Sequence, residues 1–196
     1  IVALNQRKPA PMSGFDLFNY MGLIVCARAR DYAEITFKKF ADELQAKYEA
    51  GQYAFGAAEN EKCRVAWEGI AVWTYLGHTF KTLKKEGAVM VGSCYPGMWS
   101  LVYKPGDMLS MAEAYTKIYI NTCLENRANV LKETAEKSHS EGAVMHLNRS
   151  CKLMGFLNNE GGEYLTKELG IPYVSFDGDQ TDPRNYSEAQ YETRVQ

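Results

Sequence analysis

Short apolar runs alternate with helical patterns from about residue 61 to the end of the chain. Four of the runs have the length and composition of buried strands, and they cover residues 63–67, 88–92, 142–147 and 171–176. The intervening segments have helical spacing and include a helix over 157–169, closed by Gly170 and Pro172. Strands alternating with helices form parallel sheets covered on both faces. The pattern therefore predicts an α/β fold with a parallel sheet of about four strands, doubly wound in the manner of flavodoxin and Rossmann folds.

The first sixty residues have a different pattern. Apolar residues recur at the spacing of one helical face over 35–48. A polar, Gly- and Ala-containing segment over 52–61 then separates this helix from the alternating region. We therefore predict a helical segment over 1–60, the remainder of a preceding domain or a linker, and an α/β domain over 61–196. The chain begins without a methionine, which suggests a fragment of a longer polypeptide.

The loops that follow the predicted strands are the expected location of any chemistry, since ligands bind beyond the carboxyl ends of parallel strands. After the first strand, Trp67 is a candidate substrate contact and Glu68 a candidate catalytic group. Capping of the next helix explains Glu68 equally well. Tyr95 and Trp99 lie in a Gly- and Pro-containing loop that can form a wall for a flat or acyl ligand. A packed structural turn is the equal alternative for that loop.

The third loop has the most distinctive composition. Cys151 lies between Arg149 and Lys152 at the predicted start of a helix. Free backbone N–H groups and both cations would stabilise a thiolate, the form required of a nucleophile and of a metal ligand. A buried structural cysteine is the alternative. Arg149 is also a candidate substrate contact, and His146, in the preceding strand, is a candidate proton donor for which a satisfied interior histidine is the alternative.

The fourth loop, residues 177–184, carries three carboxylates within six residues. Such oxygen ligands could bind a hard cation. However, the glutamate that would end an EF-hand loop is missing. Pro183 followed by Arg184 is more typical of a turn with internal salt bridges.

Composition excludes several classes of function. Lys and Arg total 22 against 24 for Asp and Glu, and the net charge of −2 provides no basic field for nucleic acid or an anionic membrane. No apolar run approaches the roughly 20 residues of a membrane span. We therefore expect a soluble, cytoplasmic protein that binds neither nucleic acid nor membrane.

The cysteines and glycines narrow the choice further. Five irregularly spaced cysteines without a CxxC pair argue against a disulfide framework and against a metal site built from adjacent ligands. There is no GxGxxG or GxxxxGK[ST] loop, so a dinucleotide or P-loop enzyme is disfavoured. Any metal site would have to collect distant ligands.

Several short motifs together resemble the 2-hydroxyacyl-CoA dehydratase family. They are residues 148–152 (NRSCK), 178–184 (GDQTDPR), 187–190 (SEAQ) with Thr193 and Arg194, and 67–69 (WEG). The resemblance is greatest to the larger, alpha-type subunits that act on (R)-2-hydroxyglutaryl-CoA. It covers the chain from about Phe15 onward, but only the latter half of a family subunit.

The resemblance implies a heterodimeric, oxygen-sensitive lyase in which each subunit holds a 4Fe-4S cluster through three cysteines. One of these matches Cys151, and the other two would lie in an amino-terminal half outside this chain. The implied reaction converts 2-hydroxyglutaryl-CoA to glutaconyl-CoA. An ATP-dependent iron–sulfur activator supplies one electron, and a ketyl radical then expels the 2-hydroxyl group. Loss of a 3-proton and return of the electron give the enoyl-CoA.

Two other functions are compatible with the same cysteine. The superfamily includes subunits of benzoyl-CoA and other acyl-CoA reductases, which would consume electrons stoichiometrically. A non-catalytic electron-relay subunit, with its cluster closed by a further ligand, is a third possibility. The sequence does not select the acyl group.

Overall fold

A four-stranded parallel sheet lies at the centre of the chain, whose computed structural model describes residues 1–99 and 101–196. The strands are β1 (Cys63–Glu68), β2 (Ala88–Ser93), β3 (Gly142–Asn148) and β4 (Tyr173–Gly178). Their order across the sheet is β2-β1-β3-β4, and every neighbouring pair is parallel. The structure therefore confirms the predicted α/β class and sheet. The chain reverses its direction of progress between β1 and β3, which is the switch point where such sheets bind ligands.

Helices cover both faces of this sheet. In chain order they are α1 (Val2–Asn5), α2 (Gly14–Asn19), α3 (Met21–Cys26), α4 (Asp31–Glu49), α5 (Leu76–Glu86), α6 (Cys94–Gly97), α7 (Met108–Thr116), α8 (Leu124–Lys137), α9 (Lys152–Gly155), α10 (Asn158–Leu169) and α11 (Glu188–Val195). α5 packs on β2 and against α11, whereas α8 packs on β1 and β2 and against α10. Within residues 1–99 and 101–196, no helix is both long and apolar enough to cross a membrane.

The segment between β2 and Lys137 is mainly helical and is divided into several separate elements. The region contains α6, α7, a 3-10 turn over Tyr119–Asn121 and α8. Pro105 and Gly106 precede α7; the proline lacks a backbone donor, and Gly106 adopts a φ of +80° that favours glycine. Asp107 then caps α7 by accepting from the Ser110 N–H at 3.0 Å.

The first sixty residues pack onto the sheet. The expected helix over 35–48 is α4, and it is longer by a few residues at its start. Phe15 and Phe18 of α2 belong to the same hydrophobic core as Trp67 of β1, and the Phe15 and Trp67 rings meet edge to face at 5.3 Å. A domain boundary near Asn60 stays a prediction.

A buried arginine ties the amino terminus to the sheet. The guanidinium of Arg64, near the start of β1, donates to the carbonyls of Gln6 at 3.2 Å and Arg7 at 3.1 Å. It also donates to the Ser138 carbonyl at 2.9 Å and pairs with Glu61 at 2.6 Å. The Arg64 side chain itself is fully buried. The Arg64 guanidinium therefore connects segments that are far apart in sequence.

Candidate functional site

The loops after β3 and β4 join at the carboxyl edge of the sheet. The Arg149 N–H donates to the Gly178 carbonyl at 3.0 Å. The Asn148 side-chain oxygen accepts from the Ser150 and Gln180 N–H groups, each at 3.3 Å, and Ser150 also bonds Asp179. Parallel strands bring these loops together because their carboxyl ends share one edge. The third and fourth loops therefore form one continuous surface at this edge.

Cys151 lies on this edge as the residue that begins α9. Its backbone is extended, and its carbonyl accepts from the Gly155 N–H at 2.9 Å. The side chain is partly buried against the main core, and its sulfur is not in a disulfide. Tyr95, from the loop after β2, lies near it, and the pKa of Tyr95 is raised first by burial and then by Cys151. Cys151 therefore lies at a strand-to-helix turn, the position that the sequence predicted, and is partly accessible there.

Arg149 is engaged by an acid beside it. Its guanidinium lies 2.7 Å from an Asp177 carboxylate oxygen, and the Arg149 side chain is 59% exposed. An exposed pair of this kind contributes little to stability and exchanges readily with solvent. The cationic field expected around Cys151 is thus opposed by a carboxylate, and a substrate contact by Arg149 would have to displace Asp177.

Glu68 ends β1 in a fully buried position. Arg127 of α8 lies 3.6 Å from one carboxylate oxygen, and neither oxygen has a hydrogen bond of good geometry within the described part of the chain. Burial raises the pKa of the Glu68 carboxyl, and the Tyr119 and Arg127 side chains oppose that rise. Glu68 does not cap the helix that follows β1, which was the alternative role for this residue. It is a buried carboxyl group next to the buried guanidinium of Arg127.

Arg127 and Tyr119 were not predicted from the sequence as neighbours of Glu68. Arg127 lies on the inward face of α8, one residue before Ala128 and four before Leu131, both of which are buried. That spacing was a usable signal, because an arginine on an apolar helical face needs an internal partner. Its partner, Glu68, is 59 residues earlier, so no local pattern pairs them.

His146 is a core residue. Its Nδ1 lies 2.5 Å from the Ile70 carbonyl, and its ring stacks on Phe176 with centroids 5.1 Å apart. Because a carbonyl only accepts, Nδ1 carries the proton in the neutral ring. Burial lowers the pKa of His146 to about 4, with the Ile70 contact opposing the shift. Nε2 has no hydrogen-bond partner among residues 1–99 and 101–196, so the histidine is only half satisfied.

The aromatic candidates divide into two groups. Trp67 is fully buried, packs edge to face on Phe176 at 5.5 Å, and donates its indole N–H to the Gly69 carbonyl at 3.2 Å. This burial argues against direct contact with a substrate in this chain. Tyr95 is also buried, lies near Cys151, and has its ring 6.2 Å from that of Trp99. A role for Tyr95 and Trp99 as a wall for a ligand stays a prediction.

The acidic loop is a turn, as its Pro-Arg ending indicated. Asp179 accepts from the Thr181 and Asp182 N–H groups, each at 2.9 Å. Arg184 forms a two-point pair with Asp182 at 2.9 and 2.7 Å. Within the described residues, no three His, Cys, Asp or Glu side chains are grouped so as to hold a metal ion. In the part of the chain that the structure describes, Cys151 is therefore a free cysteine without a set of metal-ligating side chains around it.

A separate cavity of about 480 Å³ lies beside the carboxyl end of β2. Mainly apolar side chains from α2, β2 and α8 form its walls, together with Cys94 and Tyr119. Burial, and then Glu68, raise the pKa of the Cys94 thiol well above its usual value. Cys94 is therefore a buried, protonated thiol in the wall of this cavity.

Comparison with known proteins agrees with the motifs. The sequence profile of "2-hydroxyglutaryl-CoA dehydratase, D-component" matches residues 1–196. The chain is 59% identical to the lactoyl-CoA dehydratase alpha subunit of Anaerotignum propionicum, over 100% of this chain and 46% of that protein.

Two further relatives extend the comparison. The (R)-2-hydroxyisocaproyl-CoA dehydratase alpha subunit of Clostridioides difficile is 42% identical over 97% of this chain and 46% of its own length. The (R)-2-hydroxyglutaryl-CoA dehydratase alpha subunit of Acidaminococcus fermentans is 39% identical over 97% of this chain and 39% of its own. The chain thus spans less than half the length of these relatives. The expected resemblance is confirmed, and the chain belongs to the 2-hydroxyglutaryl-CoA dehydratase D-component family.

Proposed function

We propose that this chain is part of the alpha subunit of a 2-hydroxyacyl-CoA dehydratase, a hydro-lyase that converts an (R)-2-hydroxyacyl-CoA into an enoyl-CoA. The observation that carries the proposal is the family match over residues 1–196. A half-accessible thiol at the carboxyl edge of a doubly wound sheet supports it, because this edge is where such folds bind ligands.

Cys151 is proposed as a ligand of a 4Fe-4S cluster. Iron–sulfur clusters are held by cysteine thiolates, and Cys151 is free and partly accessible. The described residues provide no complete ligand set around it, so the other ligands would come from elsewhere in the subunit. When bound, the cluster would supply the single electron that starts a radical dehydration. Tyr95 and Trp99 would exclude water on one side of Cys151.

The substrate is proposed to be a short 2-hydroxyacyl-CoA. Identity is 59% to the lactoyl-CoA relative and 39% to the 2-hydroxyglutaryl-CoA relative. We therefore rank lactoyl-CoA above the 2-hydroxyglutaryl-CoA that the motifs favoured. Trp67, Glu68 and His146 are core side chains, and we assign them no contact with the acyl group.

The proposed assembly has two further proteins. The relatives named above are alpha subunits, so we propose a second dehydratase subunit that forms a heterodimer with this one. We also propose an ATP-dependent iron–sulfur activator as the electron donor. The five cysteines are all unpaired, which is consistent with a reducing cytoplasm.

The test is an anaerobic turnover assay. The chain, at the full length that its gene encodes, is produced with its partner subunit and activator and given lactoyl-, 2-hydroxyisocaproyl- and 2-hydroxyglutaryl-CoA. We expect acryloyl-CoA to form fastest, with far fewer electrons consumed than product made. Cys151→Ser should abolish turnover and lower the iron content, while the exposed Cys123→Ser should change neither.

Three results would contradict the proposal. Stoichiometric electron consumption would indicate an acyl-CoA reductase. A cluster whose spectrum does not respond to any 2-hydroxyacyl-CoA would indicate an electron-relay subunit. Full iron content and turnover in Cys151→Ser would remove Cys151 from the cluster.

A further inference from the structure

Arg127 connects three parts of the fold that meet behind the Cys151 turn. Its guanidinium donates to the carbonyls of Leu153 at 2.8 Å and Phe156 at 3.2 Å. It also donates to the side-chain oxygen of Asn158 at 3.2 Å. Asn158 in turn donates to the His146 carbonyl of β3 at 2.9 Å. One buried side chain of α8 thus reaches the backbone immediately after Cys151 and, through Asn158, the strand before it.

The contacts fall on the short turn that follows Cys151. The Gly155 N–H donates to the Cys151 carbonyl at 2.9 Å, and the Phe156 N–H donates to the Lys152 carbonyl at 2.8 Å. α9 is only four residues long, too short to hold its shape through its own hydrogen bonds. Its placement comes from contacts outside the helix: Met154 is buried in the main core, and Arg127 holds the carboxyl end.

Arg127 is itself held in place. The Glu68 carboxylate lies 3.6 Å from Nη2, and the guanidinium lies over the Tyr119 ring at 5.0 Å. Both Arg127 and Glu68 are buried. A planar guanidinium offers five donors in a fixed arrangement, so one group can serve two carbonyls, an amide and a carboxylate at once. A lysine ammonium on its flexible stem cannot reproduce that arrangement.

We propose that Arg127, fixed by Glu68, is a positioning residue that sets the direction and accessibility of the Cys151 thiol. The chain of contacts runs from β1 through Glu68 and Arg127 to the turn that begins at Cys151. What Cys151 then binds rests on the proposed function. The positioning itself is a property of the chain.

The reaction rate of each cysteine with iodoacetamide tests this directly. The protein is produced at the full length that its gene encodes, without iron, and the labelled fraction of every cysteine is followed by peptide mass spectrometry. The variant is Arg127→Lys. The matched control is Arg64→Lys, which alters a second buried arginine that also donates to backbone carbonyls, at the opposite end of β1.

Arg127→Lys should raise the rate at Cys151 about tenfold, as expected if local opening of the turn becomes easier by about 1.4 kcal/mol. The exposed Cys26 should react at an unchanged rate, and the buried Cys94 should stay protected. Arg64→Lys should leave the Cys151 rate unchanged. An unchanged Cys151 rate in Arg127→Lys, with Cys94 protected, would overturn the proposal.

If Arg127→Lys unfolds and exposes Cys94, a second variant tests the proposal instead. Glu68→Gln keeps the shape of the acid but removes the charge that fixes Arg127. It should raise the Cys151 rate about threefold, equivalent to about 0.7 kcal/mol, and an unchanged rate would overturn the proposal. Iron content after anaerobic reconstitution distinguishes failure of the cluster-ligand proposal from failure of the positioning proposal. If Cys151→Ser retains full iron, Cys151 is not a cluster ligand. The alkylation rates still test whether Arg127 positions Cys151.

Discussion

His146 should make the folded chain sensitive to mild acid. Burial lowers the pKa of His146 to about 4, against 6.5 for an unperturbed imidazole. Between those values the unfolded chain binds a proton that the folded chain does not. Stability is therefore lost as the pH falls through this window, and the group has no effect above about pH 7.

The size of the effect follows from the width of the window. At about 1.4 kcal/mol per pH unit, the loss reaches about 2 kcal/mol by pH 5 and about 3 kcal/mol by pH 4. A loss of this size is a large part of the 5–15 kcal/mol typical of a folded domain. The carboxylates titrate mainly below about pH 5, so the measurement is best made above that value.

The assay is urea unfolding followed by tryptophan fluorescence, with the buried Trp67 as the probe, at about pH 7.5 and about pH 5. His146→Asn retains an amide donor for the Ile70 carbonyl but cannot titrate, so it should lose about 2 kcal/mol less than the native chain between these values. The control is His139→Asn at an exposed position whose φ of +52° suits asparagine. If the free energy of unfolding depends equally on pH in the native chain and in His146→Asn, protonation of His146 does not cause the loss of stability.

Three further outcomes follow from packing and burial. Arg64→Met should lower the free energy of unfolding in urea by about 3–5 kcal/mol, because it leaves the Glu61 carboxylate buried without its partner. Gly155→Ala should lower the urea midpoint and increase protease cleavage of the Cys151 turn, since the added Cβ would lie 2.7 Å from a backbone oxygen; an unchanged midpoint would contradict that close packing. Cys94 should resist iodoacetamide near pH 8 while Cys26 reacts, and equal rates would show that the β2 edge opens readily.

The sheet could be predicted from the sequence because each strand is a short apolar run of consecutive residues. Each strand begins and ends within two residues of its apolar run, and the largest differences are at the two ends of β4, which starts after Pro172 and extends to Gly178. The meeting of the third and fourth loops followed from the parallel arrangement alone. Cys151 was identified for the same reason, since its strand, its flanking cations and its turn are adjacent in sequence.

The environment of the site was not predictable in the same way. The Glu68–Arg127 pair joins residues 59 positions apart, and the burial of Trp67 depends on Phe15 from a segment assigned to another part of the chain. The pairing of Arg149 with Asp177 joins two loops whose side-chain directions no periodicity specifies. Such contacts depend on tertiary packing, which a single sequence does not encode in its local pattern.

The Arg64 contacts have a consequence for how the chain can be divided. Its guanidinium is neutralised by Glu61 and solvated by the carbonyls of Gln6 and Arg7 rather than by water. Removing the amino-terminal segment would remove these carbonyl acceptors. The buried Arg64 cation would then lack those hydrogen-bond partners, which would destabilise the sheet. Truncation near Asn60 is therefore a poor way to isolate the α/β region, and the amino-terminal residues should exchange their amide hydrogens together with β1 rather than independently of it.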